Sequence, residues 1–499
     1  VVTSDAPKTC DVSGQRAAAL PPSNLPPQAG EGILSDAFVR RVSFPILAVI
    51  AAVWIYSAFE LRPLFADGFL YFLRILERGD FWLEAPARRS VDLVRQLPVL
   101  AALKLGIGDS GALAVVFGLS LALLPLALVC LCWPVLPHAR KSFFVFPLLH
   151  YMAGALATGF AAINEGAAAA AWFWLLLFLL LFRPARGGWL AATAALALGT
   201  VQLHEGMVLL APVLAAAALW RRRRETGRGA RIALGALALW FAIVAAVQAD
   251  FLVDPSRPDN RAAYFTALFS LWWLFGLWGS LNLPALFGIA GLVLLLVVWL
   301  GAQARAPKSA IASRLVWTAF GMACVAAVID AIAADRIYAA QAQMNARNHP
   351  ILISLPLAIA AFYAAAKPGA ARRLPFHHAY ILCALLAAAG ALWHVETVRR
   401  WSDYLGVFRG VLRDNRGLVA WADVAAKLAP AERHLFEGMS HFWIEPAMSI
   451  ALAPGGEVAV IVAARHAAGW YPFDARKPEE LPRARFWSYE AYLAALNRR

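Results

Sequence analysis

Residues 164–224 read NEGAAAAAWFWLLLFLLLFRPARGGWLAATAALALGTVQLHEGMVLLAPVLAAAALWRRRR, and this stretch decides the fold. Three apolar runs, about 167–183, 187–203 and 207–220, are each close to the ~20 residues that a membrane-crossing helix needs. Arg183-Pro-Ala-Arg186 and the run opening at Arg221 are basic, whereas Asn164-Glu165-Gly166 and His204-Glu205-Gly206 are acidic turns. Short basic connections mark the cytoplasmic side of a membrane protein. The stretch therefore predicts a helix chain that alternates between a basic and an acidic face.

The same alternation extends outward. Further spans are expected at about 43–60, 112–135, 142–162, 232–250, 283–301, 315–333, 351–366 and 378–396. The basic connections at 138–141, 183–186, 221–231, 305–314 and 367–373 hold 16 Lys/Arg against one acid, Glu225. Arg40 and Arg41 precede the first span. The expected fold is an all-α polytopic membrane protein of about 11 transmembrane helices, N-terminus inside and C-terminus outside. Residues 264–280 (YFTALFSLWWLFGLWGS) are apolar enough to cross, but crossing would invert every later loop. They are read as a re-entrant or interfacial aromatic helix.

Composition agrees. The chain has 499 residues, 61% hydrophobic and 15% charged, which excludes a set of soluble domains. Its net charge of +14 is largely the orientation signal, so nucleic-acid binding is not implied. The cysteines lack the spacing of a zinc site, and four of the five lie in apolar runs. Residues 1–36 read as a flexible cytoplasmic tail without a signal-peptide core. Residues 37–396 form the transmembrane domain, with a first outer loop over 61–110. Residues 397–499 are expected as a small α/β domain on the outer (periplasmic) side, helical over 412–435 and with a strand within GEVAVIVAAR (456–465).

Candidate site residues gather on the acidic face. Asp67 stands beside Gly68 in an apolar stretch near the membrane surface, where a carboxylate caps a helix or acts as a base. Glu60 ends the first span. Charges from Arg74 to Arg95 fit a solvated amphipathic helix lying on the membrane. Glu165 and Glu205 occupy matching turns 40 residues apart, each at the start of an inward helix, where the dipole favours an anion. With His204 they could line one polar pocket. Asn345, Arg347 and His349 stand directly before a late span, and Arg347 there suits a phosphate.

These features resemble the GT-C superfamily of integral-membrane glycosyltransferases over roughly residues 40–396. The resemblance rests on a long first outer loop bearing acids (Glu60, Asp67) and on ARNHPILISLPLAI at a late span. It departs from the family in lacking an adjacent acidic pair in that loop, and in having Asn348-His349 where an aromatic is usual. It implies an inverting transfer of a sugar from a polyprenyl-phosphate donor to an envelope glycan, lipid or protein at the outer face of a bacterial inner membrane. Asp67 would be the catalytic base with Glu60 second, and Arg347 would hold the lipid phosphate. His349, Asn345, Glu165, His204 and Glu205 would bind substrate. No metal ligand is assigned and divalent-ion dependence stays open. Membrane lipids, the lipid-linked donor and its acceptor are the expected partners, with envelope-assembly proteins a further class. The alternatives are a lipid-linked polysaccharide polymerase or ligase, and a non-catalytic transporter or envelope-complex subunit.

Overall fold

The computed structural model describes residues 34–65, 67–83, 86–156, 165–253, 349–367, 369–374, 376–415, 417–439, 445–452 and 459–462. The expected spans at 283–301 and 315–333, the aromatic stretch 264–280, and Asn345 and Arg347 lie outside these residues. The described chain is mostly helical. In order it forms α1 (Asp36–Phe59), α2 (Asp67–Arg78), α3 (Arg89–Lys104), α4 (Ser110–Val135), α5 (Val145–His150), α6 (Glu165–Phe182), α7 (Gly187–Leu198), α8 (Met207–Arg224) and α9 (Arg228–Val253). After the gap follow α10 (His349–Ala366), α11 (Phe376–Asp414), β1 (Gly417–Ala420), α12 (Trp421–Lys427), α13 (Pro430–Met439), α14 (Glu445–Leu452) and β2 (Ala459–Val462).

Among the described residues five helices, α1, α4, α6, α9 and α11, are long and apolar enough to cross a membrane. Their starts are built locally. Ser35 Oγ accepts the Phe38 N–H at 3.2 Å and Asp109 Oδ1 accepts that of Ala112 at 2.6 Å, each satisfying an N-terminal donor that the helix leaves open. In lipid, backbone groups freed at a helix end must find protein partners. Where α7 tightens into a 3-10 turn over Gly199–Gln202, three side chains supply them. Trp172 donates to Leu196 O, Trp240 to Ala197 O and Gln248 to Val201 O.

The basic connections among the described residues meet at one end of the bundle. His138 Nδ1 lies 3.3 Å from Asp36, Arg183 donates to Pro134 O, Arg224 to Ala366 O, and Lys141 Nζ to Trp133 O. The opposite end gathers the C-terminus of α1 and the starts of α4, α6, α8 and α10. Gly118 of α4 packs on Ala58 and Pro63, and Gly206 ahead of α8 packs on Ile351 of α10.

The described residues form two apolar cores. The larger is the helix bundle, with α6 buried along almost its whole length. The smaller joins α2, α3 and the start of α4 to Trp401, Tyr404 and Phe408 of α11 and to Phe436, Met439 and Met448 beyond it. The segment between α1 and α4 and the C-terminal segment thus share one core. The domain boundary expected at 396/397 falls inside α11, a 39-residue helix that runs through it unbroken. At 1.5 Å per residue such a helix is nearly twice the ~30 Å hydrocarbon thickness, so its second half projects from the bundle. The expected helix over 412–435 is interrupted by β1, which pairs in parallel with β2 within the expected strand at 456–465.

Candidate functional site

The end opposite the basic loops holds a buried cluster of charge. Arg88 is at its centre, in the 3-10 turn Pro86–Arg88 ahead of α3. Its Nε lies 3.0 and 3.1 Å from the two carboxylate oxygens of Glu205, and its Nη1 is 3.6 Å from Glu165 Oε2. Glu165 opens α6 and Glu205 lies in the turn before α8. The two matching acids of the sequence therefore converge on a single guanidinium. Asp92 and Arg95 follow on α3 and are almost fully buried, at 1% and 2% exposure.

The spacing 88, 92, 95 is i, i+4, i+7, one helical face. On the other face Leu93 and Leu97 are exposed. Expecting a solvated amphipathic helix here inverts the arrangement. In the middle of α3 Asp92 and Arg95 point into the protein while Leu93 and Leu97 point out, the orientation that suits a helix at a lipid boundary. Two bonds fix it. Gln96 exchanges hydrogen bonds with the Trp82 backbone, accepting at 2.8 Å and donating at 2.7 Å. Ser120 Oγ on α4 donates to Arg95 O at 2.7 Å, next to the helix bond that Pro98 removes.

Electrostatics follow from burial. Burial would lower the Arg88 pKa, but Glu205 and Glu165 beside it more than offset this and hold it well above its ordinary value. Burial alone would raise Glu205; the Arg88 guanidinium overrides it and brings the carboxyl down to about 2. Asp92 is pushed up to about 8, by burial first and by the Glu165 carboxylate second, against the pull of Arg95. Asp92 therefore carries a proton at neutral pH.

His204 is fully buried and neutral, its pKa brought to about 4 by desolvation. Gly206 N–H donates to its Nδ1 at 3.0 Å, so that nitrogen is bare. The 3.6 Å approach of Nδ1 to Glu205 Oε2 therefore sets two acceptors side by side and is not an ion pair at neutral pH.

The start of α10 reaches the same place. A Cβ on Gly206 would lie 2.7 Å from Ile351 Cγ1, and one on Gly154 would lie 3.0 Å from Pro350 Cα. His349, the first residue of α10, thus enters the bundle beside the His204-Glu205-Gly206 turn. Asp67 is the first residue of α2, and Gly68 after it packs so closely on Pro63 O that a Cβ would stand 2.7 Å away. Glu60 serves the structure of the joint between helices. It caps α1, its Oε2 accepts the Ser402 hydroxyl at 2.9 Å and its carbonyl accepts the Trp401 indole N–H. The structure thus brings Glu165, His204 and Glu205 together and sets Glu60 where α1 meets α11. It adds Arg88, Asp92 and Arg95, which the i, i+4, i+7 spacing alone could have singled out. Among the described residues, no group of three or more His, Cys, Asp or Glu side chains is arranged to hold a metal ion.

Comparison of the chain with protein-family models, with curated proteins and with solved structures found no match in any of the three.

Proposed function

We propose that the protein is a membrane glycosyltransferase of the GT-C kind, moving a sugar from a polyprenyl-phosphate donor to an envelope acceptor at the outer face of a bacterial inner membrane. In this reading about 11 spans place the N-terminus inside and the basic loops in the cytoplasm. The Arg88 end, with α2, α3 and the C-terminal segment as a small outer domain, faces outward. One observation carries it: the loop after the first long helix folds back over the bundle, and its Arg88 gathers carboxylates from two further helix starts beside the entry of α10. A rigid polar floor under an amphipathic loop is what a reaction between a lipid-borne donor and a water-borne acceptor requires.

In the transfer, the acceptor oxygen bonds to the anomeric carbon as the bond from that carbon to the phosphate oxygen breaks. Asp67, opening α2, takes the acceptor proton. Arg347, two residues ahead of α10, holds the phosphate as it gains charge. Arg88, paired with Glu205, positions the first loop and is not itself a proton carrier. His349 and Asn345 offer hydrogen bonds to sugar hydroxyls, and the buried, neutral His204 supports the turn beneath them.

Purified protein in proteoliposomes, given radiolabelled polyprenyl-phosphate sugars and an envelope lipid extract, is expected to release polyprenyl phosphate. Asp67→Asn should lower that release by about 10²–10⁴-fold, the range for a general base, while the protein stays folded. An Asp67→Asn enzyme with wild-type turnover removes the base assignment, and no turnover of any such donor removes the function.

A further inference from the structure

The strongest observation outside the charge cluster lies at the other end of the molecule, in RRRRETGRGAR (221–231), where the end of α8 turns into the start of α9. Arg222, Arg223, Arg224, Arg228 and Arg231 are exposed. Among the described residues, the carboxylates at this end are already held: Glu225 by Arg221 at 2.7 Å, and Asp36 by Arg40 and His138. Arg224 is engaged too, lying 4.4 Å over the Trp220 ring and donating to Ala366 O.

Arg222 stands apart. Its side chain lies across α9 at Gly235, where a Cβ would be 3.5 Å from its Nε and 3.6 Å from its Cζ. Arg228, Ile232, Gly235 and Leu239 are spaced i, i+4, i+7, i+11 and form one stripe of α9. Ile232 and Leu239 are 63% and 64% exposed. An exposed guanidinium thus sits within an apolar, lipid-facing stripe, with a second guanidinium at its head; among the described residues no carboxylate meets either.

We infer that the α8–α9 corner is a binding site for an anionic phospholipid, whose phosphate lies between Arg222 and Arg228 and whose acyl chain follows Ile232 and Leu239. The two halves of the surface match the two halves of that molecule. Guanidinium offers phosphate a planar pair of donors, and the apolar stripe below it has no use for a free ion or a nucleic acid. Leu219, one turn before Arg222 on α8 and also exposed, widens the track for a second chain. The inference is independent of the proposed reaction, because it uses neither its residues nor its end of the bundle.

The test is native mass spectrometry of the full-length protein released from detergent in the presence of phosphatidylglycerol or phosphatidylethanolamine. Phosphatidylglycerol is expected to be retained preferentially, and Arg222→Gln/Arg228→Gln should lower its retention at least tenfold. Arg222→Lys, which keeps the charge but loses the planar fork, should fall between them; an unchanged thermal midpoint in detergent shows that each variant is folded. Equal retention of the two lipids, or full retention by the double Gln variant, overturns the site. Complete displacement by millimolar inorganic phosphate also overturns it, since the corner would then be a plain anion site.

Discussion

The two ends of the helix bundle handle charge in opposite ways. At the basic end Arg222, Arg223 and Arg228 are exposed, and the ion pair Arg40–Asp36 has side chains 49% and 27% exposed. At the other end Arg88, Glu165 and Glu205 are withdrawn into the protein, the two carboxylates to 2% and 3%. Both ends contain an Arg–carboxylate pair at 3.0 Å. Distance therefore does not distinguish them; the surroundings do. An exposed pair contributes about 0–1 kcal/mol and mostly reports orientation, whereas breaking a buried one leaves a charge without solvent or partner.

The largest effect should come from stranding that charge. Arg88→Met leaves Glu165 and Glu205 facing each other with no guanidinium between them, and is expected to cost about 3–5 kcal/mol of stability. Thermal unfolding in detergent reads this, with Arg223→Met at the opposite end as the control, expected within about 0.5 kcal/mol of wild type. Removing the whole group (Arg88→Met with Glu165→Gln and Glu205→Gln) should recover much of the loss. If Arg88→Met and Arg223→Met behave alike, the contrast between the ends fails.

Next is the backbone approach that seats α10 against the cluster. Gly206→Ala drives a methyl into Ile351, whose Cγ1 and Cγ2 both lie within 2.8 Å of it. Rotation about the Ile351 χ1 exchanges one branch for the other and gives no relief. A cost of about 1–3 kcal/mol is expected, as for overpacking generally. Ile351→Ala in the same chain should restore at least about 1 kcal/mol relative to additivity, measured as a double-mutant cycle.

A third difference is in pH. Asp92 keeps its proton up to about pH 8 when folded but loses it near 4 when unfolded. The folded state then binds the extra proton, so this group lowers stability as pH rises from about 4 to about 8. His204 acts in the other direction: its folded pKa of about 4 lies below its unfolded value near 6.5, so stability falls as pH drops through that interval. The two overlap below 6.5, leaving pH 6.5–8 as the window of Asp92 alone. Wild type minus Asp92→Asn should show stability declining across that window, and a flat difference would remove the raised carboxyl from the cluster.

The bundle is readable from sequence because its signals are local. A run such as WFWLLLFLLLF and the arginines beside it lie within 20 residues, and the basic connections that fall among the described residues do meet at one end. Glu165 and Glu205 can be paired from their matching turns, yet no local pattern shows that Arg88 joins them, since that contact spans 117 residues in sequence to Glu205. Arg88, Asp92 and Arg95 mislead for a definite reason: polar-face-out is the rule in water, whereas here Asp92 and Arg95 are drawn into the cluster with Arg88 and leave Leu93 and Leu97 exposed. β1 escapes notice because four residues carry little periodicity and its partner, β2, is 42 positions further on. The run of α11 past residue 397 is hidden by polarity, which changes there while helix-forming sequence continues.

The smallest expected effect sharpens the comparison from its other side. Asp36→Asn removes an ion pair of the same 3.0 Å length as that between Arg88 and Glu205. Here both partners reach water, are one turn apart on α1, and hold each other only as an i, i+4 helix pair, for which about 0.3–0.5 kcal/mol is typical. The asparagine still offers an acceptor to Arg40 and to His138, so little is stranded. Thermal unfolding should shift by less than about 1 kcal/mol, and the shift should shrink further in 0.5 M salt, where exposed charges are screened over about 4 Å. Glu205→Gln measured in the same salt should keep its full effect, because ions cannot enter the cluster that surrounds it. A salt-sensitive Glu205→Gln would mean that water reaches Arg88, and the division between a screened end and a sealed one would be lost.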